Sequence, residues 1–368
     1  MKNQFWLGAM SLACVGGTAV AQQHFPVEAT DDSMLRRRNR FSLKATFNFN
    51  IKTDFTSVTA NNSGALVPGV NRTYADGFVF RDISGNAGGT TWNWGYNNNS
   101  QFTASDASLA APNTGAPSLA FHTVGSLADG ATRGSRDRMI PGLELAYEEV
   151  LGRFHITEKR RANIGILVSF GYMRLGQNDS GTLAGLVGLT TDKYLPGGVL
   201  PPLAPYSGSF ATAGPLLPDV PAERSALTPV AATGSVVNKL DGSLYGFNIG
   251  PFIEFPLHDR VSLTLGGGLG VVYASTTYSF SDTIVVAPNP LAPAGLTATR
   301  SGRVSADDWL FSATAKANLY VALSEAWSWE LGLAYQYAGN SRSSVQGKTS
   351  NLQLDGILSV NTGLNYAF

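Results

Sequence analysis

The chain holds a single cysteine among 368 residues, Cys14, in an apolar stretch close to the amino terminus. Once such a stretch is removed, neither a disulfide framework nor thiol chemistry has anything to build on. A lipid-modified cysteine would end the apolar region, whereas Cys14 follows Ser11-Leu12-Ala13 and the apolar run continues past it. Charge is scarce as well: 14% of residues are charged, with 26 basic against 26 acidic side chains. That balance removes the electrostatic case for a nucleic-acid partner. The four histidines, His24, His122, His155 and His258, are too scattered for a zinc motif, and no serine or carboxylate is demonstrably placed beside any of their rings, although sequence distance leaves contact in space open. No catalytic residue, metal ligand or cofactor is therefore expected. Long apolar runs are missing too: beyond the amino-terminal stretch none approaches the ~20 residues of a membrane helix.

What the sequence does have is apolar residues at period two. Phe41, Leu43, Ala45, Phe47, Phe49, Ile51 and Phe55 alternate with Ser42, Lys44, Thr46, Asn48, Asn50, Lys52 and Asp54. The alternation is too strict for a helix face and its polar side carries charge, so one face meets lipid and the other a polar interior. Seven further segments repeat it. Their outward residues include Leu143 and Leu145, then Ile166 and Phe170, then Phe247 and Ile249, then Leu265 and Leu269. Trp309 and Phe311, Trp329 and Leu333, and finally Leu352, Leu354, Leu358, Val360 and Leu364 complete the set. The expected fold is all-β, an antiparallel transmembrane β-barrel of eight strands, with ten as the alternative if Tyr74–Val79 and Thr90–Tyr96 add a strand pair. Gly266-Gly267-Gly268-Leu269-Gly270 looks superficially like a phosphate loop, but it lies inside a strand pattern rather than at a strand-to-helix turn.

Lys2 and the apolar stretch Phe5 to Val20, ending in Ala19-Val20-Ala21, read as a signal peptide over 1–21, with the mature chain starting at Gln22. Residues 22–40 form an expected periplasmic segment whose Arg36-Arg37-Arg38 and Arg40 meet solvent or lipid headgroups. The barrel then covers 41–368. Connections near 152–162, 256–260 and 322–326 are short, and those near 56–138 and 176–242 are long, which places the long ones outside the cell. The second long connection carries eight of the 18 prolines and is expected to lack regular ladders.

The closing segment, with Leu364, Tyr366 and Phe368 on one face, together with the alternation, resembles the outer-membrane β-barrel superfamily, in plan the small OmpA-type barrels. Tyr74-Ala75-Asp76-Gly77-Phe78, Trp94-Gly95-Tyr96 and the run from Leu195 to Pro202 also resemble outer-membrane proteins of verrucomicrobial bacteria. The resemblance implies export through the inner membrane and residence in the bacterial outer membrane. It implies contact with outer-membrane lipids and recognition of Leu364, Tyr366 and Phe368 by the barrel-assembly machinery.

Charges on the inward faces form the remaining constellation: Lys44, Lys52, Glu144, Glu148, Glu254, Lys316, Glu330 and Asp355. In a narrow closed barrel such groups must pair or stay hydrated. A salt-bridge network filling the lumen is expected, with a gate for a small water path as the alternative. The function expected is a structural or surface-contact role carried by the extracellular loops; a small diffusion channel or ligand conduit is the second reading and an outer-membrane hydrolase the third.

Overall fold

The computed structural model of the protein describes residues 39–57, 66–82, 87–125, 127, 133–136, 139–157 and 160–368. The expected signal peptide and residues 22–38 lie outside the described residues. Eight antiparallel strands close into a ring of hydrogen bonds: β1 (Asn39–Phe49), β2 (Ile140–Thr157), β3 (Arg160–Tyr194), β4 (Thr228–His258), β5 (Val261–Val286), β6 (Leu296–Ala322), β7 (Trp327–Ala338) and β8 (Ile357–Ala367). Each pairs with its neighbour in this order, and β8 pairs with β1 from Arg40↔Ala367 to Phe49↔Leu358. The Tyr74–Val79 and Thr90–Tyr96 segments stay outside the ring, in small sheets of their own, so the ring has eight strands and not ten.

The stagger of this ring follows from its register. Passing from partner to partner, Trp309 leads to Tyr273, Tyr245, Tyr172, Leu143, Ala45, Thr362, Leu331 and back to β6 at Leu319. One circuit therefore advances from residue 309 to residue 319. A ten-residue stagger over eight strands tilts them by roughly 40° to the axis.

The period of two sorts the faces inside out relative to a soluble protein. Leu43, Leu143, Phe247, Leu269, Phe311 and Leu333 are exposed on the outside, while Ser42, Lys44, Ser169, Asn318, Glu330 and Asn365 are buried within. Water would not tolerate so continuous an apolar exterior, and hydrocarbon solvates it. Aromatic rings mark both edges of the band. Tyr172, Tyr245, Tyr273 and Trp309 occupy directly paired positions on β3 to β6, with successive centroids 5.2, 6.1 and 4.9 Å apart. Near the other edge, Trp327, Tyr366, Phe41 and Tyr147 form a second paired row. Amphipathic rings favour such interfacial levels.

Four strands are far longer than the 9–11 residues a tilted crossing needs: β3 has 35 residues, β4 31, β5 26 and β6 27. Past the Tyr172–Trp309 row they continue as a wall. Residues 176–242, expected to be an irregular loop, are thus largely ladder, paired from Gly176↔Asp241 to Leu189↔Thr228. The prolines do not prevent this because all but Pro229 of that group fall between the strands, in 195–227.

Alternation also breaks once where the sequence reading continued it. Asn50 has a φ of 64°, a left-handed conformation that Asn tolerates better than other side chains with a Cβ. The kink ends β1 and inverts the faces that follow, since a one-residue slip exchanges inside and outside. Ile51 and Phe55, expected to face lipid, are buried at 0% and 3% exposure. They sit on strand Lys52–Ser57 or just before it, in a four-stranded sheet with Arg133–Arg136, Lys348–Gln353 and Ser341–Val345. Leu352 and Leu354, also expected outside, are buried against the same cluster.

Candidate functional site

The lumen is filled in tiers. Nearest the short turns, the Arg40 guanidinium donates to both oxygens of Glu254 at 2.9 and 3.1 Å and pairs with Glu148 at 2.9 Å. Its carbon lies 4.4 Å from the Tyr320 ring centroid, and the Tyr320 hydroxyl donates to Glu148 at 2.8 Å. Glu254 accepts two further bonds, from Ser262 at 2.7 Å and Asn163 at 3.1 Å. One tier up, Lys44 pairs with Glu330 at 2.7 Å and Glu144 at 3.6 Å, and Lys316 donates to both Glu144 oxygens at 2.7 and 2.8 Å.

Six of the eight expected lumen charges therefore meet: Lys44, Glu144, Glu148, Glu254, Lys316 and Glu330. The other two do not. Lys52 lies past the Asn50 kink, where the faces have exchanged, and Asp355 is exposed in the turn before β8. Arg40 takes part instead, although as the last of a basic run it read as an interfacial residue. Its place at an even-numbered, inward position of the β1 alternation was the available signal.

Above the ions, a space of about 50 Å³ lies among Thr46, Asn48, Asn248, Thr314, Gln336 and Asn361, room for a water or two. Above that the passage is apolar. Ile51, Phe55, Leu175, Leu240, Leu244, Tyr278, Leu352 and Ile357 pack into one buried cluster. The short sheet is tied to the wall through it, by Lys348 to Asp282 at 2.7 Å, with the ammonium 4.8 Å from the Phe280 ring centroid.

Past the aromatic rim, residues 66–82, 87–125 and 195–227 fold onto the wall. Ser118–Val124 extends the β3 ladder at Leu189–Tyr194, and Tyr206–Ser207, Trp94–Tyr96, Gly77–Val79 and Arg72–Tyr74 make a four-stranded sheet. Tyr74, Trp94, Tyr96, Phe121 and Tyr194 form its buried aromatic core. Asp192 accepts from Tyr74 at 2.7 Å and from Arg224 at 2.6 and 2.7 Å. Burial pushes the Tyr194 hydroxyl up to about 12, partly offset by its hydrogen bond with Tyr74. The Asp106 carboxyl lies below its usual range: burial opposes this, but bonds from Ser108, Ser118 and Lys193 prevail.

One histidine has a carboxylate partner that its sequence neighbourhood did not reveal. His122 Nδ1 is 2.5 Å from Asp76, Asp76 also accepts the His122 amide at 2.8 Å, and Nε2 is 2.8 Å from the Leu291 carbonyl. The two residues are 46 positions apart, and only the folding of the first long connection onto β3 joins them. Among the described residues no cluster of ligating side chains suited to a metal ion occurs.

No family model matches the chain, and no curated protein matches it. Among solved structures it is similar to Ail, the attachment invasion locus protein of Yersinia pestis, at 11% identity over 90% of this chain and 99% of that one, with a TM-score of 0.25. It is also similar to the outer membrane protease OmpT from Escherichia coli, at 8% identity over 90% and 97%, TM-score 0.29. A FadL homologue of Pseudomonas aeruginosa aligns at 9% identity over 90% of both chains, TM-score 0.20. These likenesses are thin in sequence and in superposition, and the assignment of an eight-stranded membrane barrel rests on the hydrogen-bonded ring and its apolar exterior.

Proposed function

We propose that this protein is a closed outer-membrane barrel that serves as a rigid anchor and presents a folded extracellular platform for surface contact. The observation that carries the reading is the double obstruction of the lumen, by the Arg40, Lys44 and Lys316 ion pairs and by the apolar cluster around Ile51 and Leu354, beneath strands that rise into the platform. An eight-stranded interior is just wide enough for side chains to fill, so the filled lumen is consistent with an anchor of the small OmpA-type plan. Short connections of two residues at 259–260 and four at 323–326 lie at the opposite end from the platform, the arrangement in which the platform faces outward. In this reading the chain reaches the outer membrane by export and assembly there, and its partners are outer-membrane lipids, the barrel-assembly machinery and a ligand at the cell surface. A non-catalytic role is supported by His122, whose two ring nitrogens are engaged by Asp76 and by the Leu291 carbonyl, leaving neither to activate a nucleophile.

The competing reading, a diffusion channel or ligand conduit, requires both obstructions to move. Conductance of the purified chain in planar bilayers separates the two. The anchor predicts no unitary current steps from the wild-type protein, and reproducible steps would overturn it.

A further inference from the structure

On the platform side of the aromatic rim, stretches of chain far apart in sequence converge on one cleft of about 600 Å³. Its floor comes from the Ser118–Val124 strand and the end of β3, one side from residues 97–108, and the facing wall from residues 290–297, the β5–β6 connection and the first two residues of β6. We propose that this cleft binds a neutral, polyhydroxylated ligand of the saccharide class.

Size admits such a ligand, since sites for small molecules commonly enclose about 300–1,000 Å³. Charge decides against most others. Lys193 is paired with Asp106 at 2.9 Å and His122 with Asp76 at 2.5 Å, while Glu223 accepts the Ala110 amide at 2.9 Å. Lys193 is thus matched to one carboxylate, the His122 ring is engaged by a second, and a third stands beside them, so a phosphate, sulfate or carboxylate ligand would meet repulsion rather than a donor fork. Among the described residues no Phe, Tyr or Trp lines the cleft and its one imidazole, His122, is held at both ring nitrogens, which leaves little stacking surface for a planar base; polar groups interrupt the lining, unlike the continuous apolar wall an acyl chain needs. What remains toward the opening is a set of hydroxyls and amides, among them Asn97, Asn98, Thr103, Ser225 and Thr297, groups that donate as well as accept. Sugar hydroxyls have the same dual character. The Pro290 and Pro293 side of the wall offers apolar surface for the C–H face of a sugar ring.

The cleft is also held open before any ligand arrives. His122 ties the wall to the floor through the Leu291 carbonyl, and Asp106 is fixed by Ser108 at 2.6 Å and Ser118 at 2.7 Å. The Gln101 side chain accepts from the amides of Asn97 and Asn98, each at 3.0 Å, and donates to the Ala120 carbonyl. Ordering these groups on binding therefore costs little.

The proposal deepens the surface-contact reading by naming the ligand class, and it is tested without reference to orientation in the cell. The purified full chain in detergent is titrated, by calorimetry and saturation-transfer NMR, with glucose, galactose, mannose, N-acetylglucosamine and maltotriose, and separately with inorganic phosphate and hexanoate. At least one neutral sugar is expected to bind at ~10 mM or below, with neither anion competing. Thr297→Trp and Ser100→Trp fill the mouth from exposed positions on opposite sides, and each is expected to weaken binding at least about tenfold while heat-modifiable migration stays that of the folded barrel. Absence of sugar binding by the wild type, preference for phosphate or hexanoate, or sugar binding that folded forms of both tryptophan variants leave intact would each overturn the proposal. The wild-type titration decides the matter even where a variant fails to fold.

Discussion

Arg40 on β1 reaches across the lumen to Glu254 on β4, its two terminal nitrogens 2.9 and 3.1 Å from the two carboxylate oxygens. The planar fork matches the carboxylate edge, a geometry lysine lacks. Because Glu148 shares the same guanidinium, one cation bridges two buried carboxylates.

Arg40→Leu is expected to strand both carboxylates and to cost about 3–5 kcal/mol, the usual consequence of breaking a buried pair from one side. Arg40→Lys keeps the charge without the fork and should fall between it and the wild type. Urea unfolding in lipid vesicles, followed by tryptophan fluorescence, measures the difference. An Arg40→Leu barrel that unfolds at the wild-type midpoint would mean that this tier contributes nothing to stability.

Lys316 and Glu144 test the second tier. Each single change, Lys316→Met or Glu144→Gln, leaves a buried charge without its main partner, whereas the double variant removes both. The cycle should return a coupling of at least about 1 kcal/mol, in the range found for residues in one ion-pair network. Simple additivity would show the tier to be hydrated and the pair weak.

Cysteines at Phe47, Phe247, Leu265 and Leu333 should be quenched from the lipid phase, and those at Asn48, Asn248, Thr264 and Gly332 should not. Ile51 supplies the sharper case. The period of two puts it outside and the Asn50 kink puts it inside, so protection of a cysteine at Ile51 from lipid quenchers distinguishes the two.

The ring was legible because its period of two persists through eight segments, from Phe41 to Tyr366, and one misplaced residue cannot erase it. Asn50 was not legible, since nothing beside it announces a positive φ. The wall was missed for a different reason. Residues such as Gly181, Thr182, Ala184 and Gly185 are small and differ little in hydropathy, so their alternation carries almost no signal. Within the candidate site, six lumen charges were readable from the parity of their positions. Arg40 was masked by the basic run it ends, and the approach of Asp76 to His122 depends on a long-range fold that no local pattern encodes.

Acid should loosen the platform before it loosens the ring. The Asp106 carboxyl is depressed in the folded state, so its contribution is complete above the unfolded value of about 4 and is lost as pH falls through the lower folded one. Hydrogen exchange of Ser118–Val124 should rise below pH ~4 in the wild type. Asp106→Asn, which lacks the titrating group, should exchange faster at neutral pH and lose that rise. Equal pH profiles for the two would dissociate Asp106 from the platform's hold.

The unbroken β3–β4 ladder, paired from Asn163↔Glu254 to Leu189↔Thr228, joins the platform to the membrane without a hinge. A pull on a bound surface would run along the strands and load those hydrogen bonds together, in shear, rather than opening them one after another. Tension would then be carried to the tilted wall of the ring and spread over its neighbours.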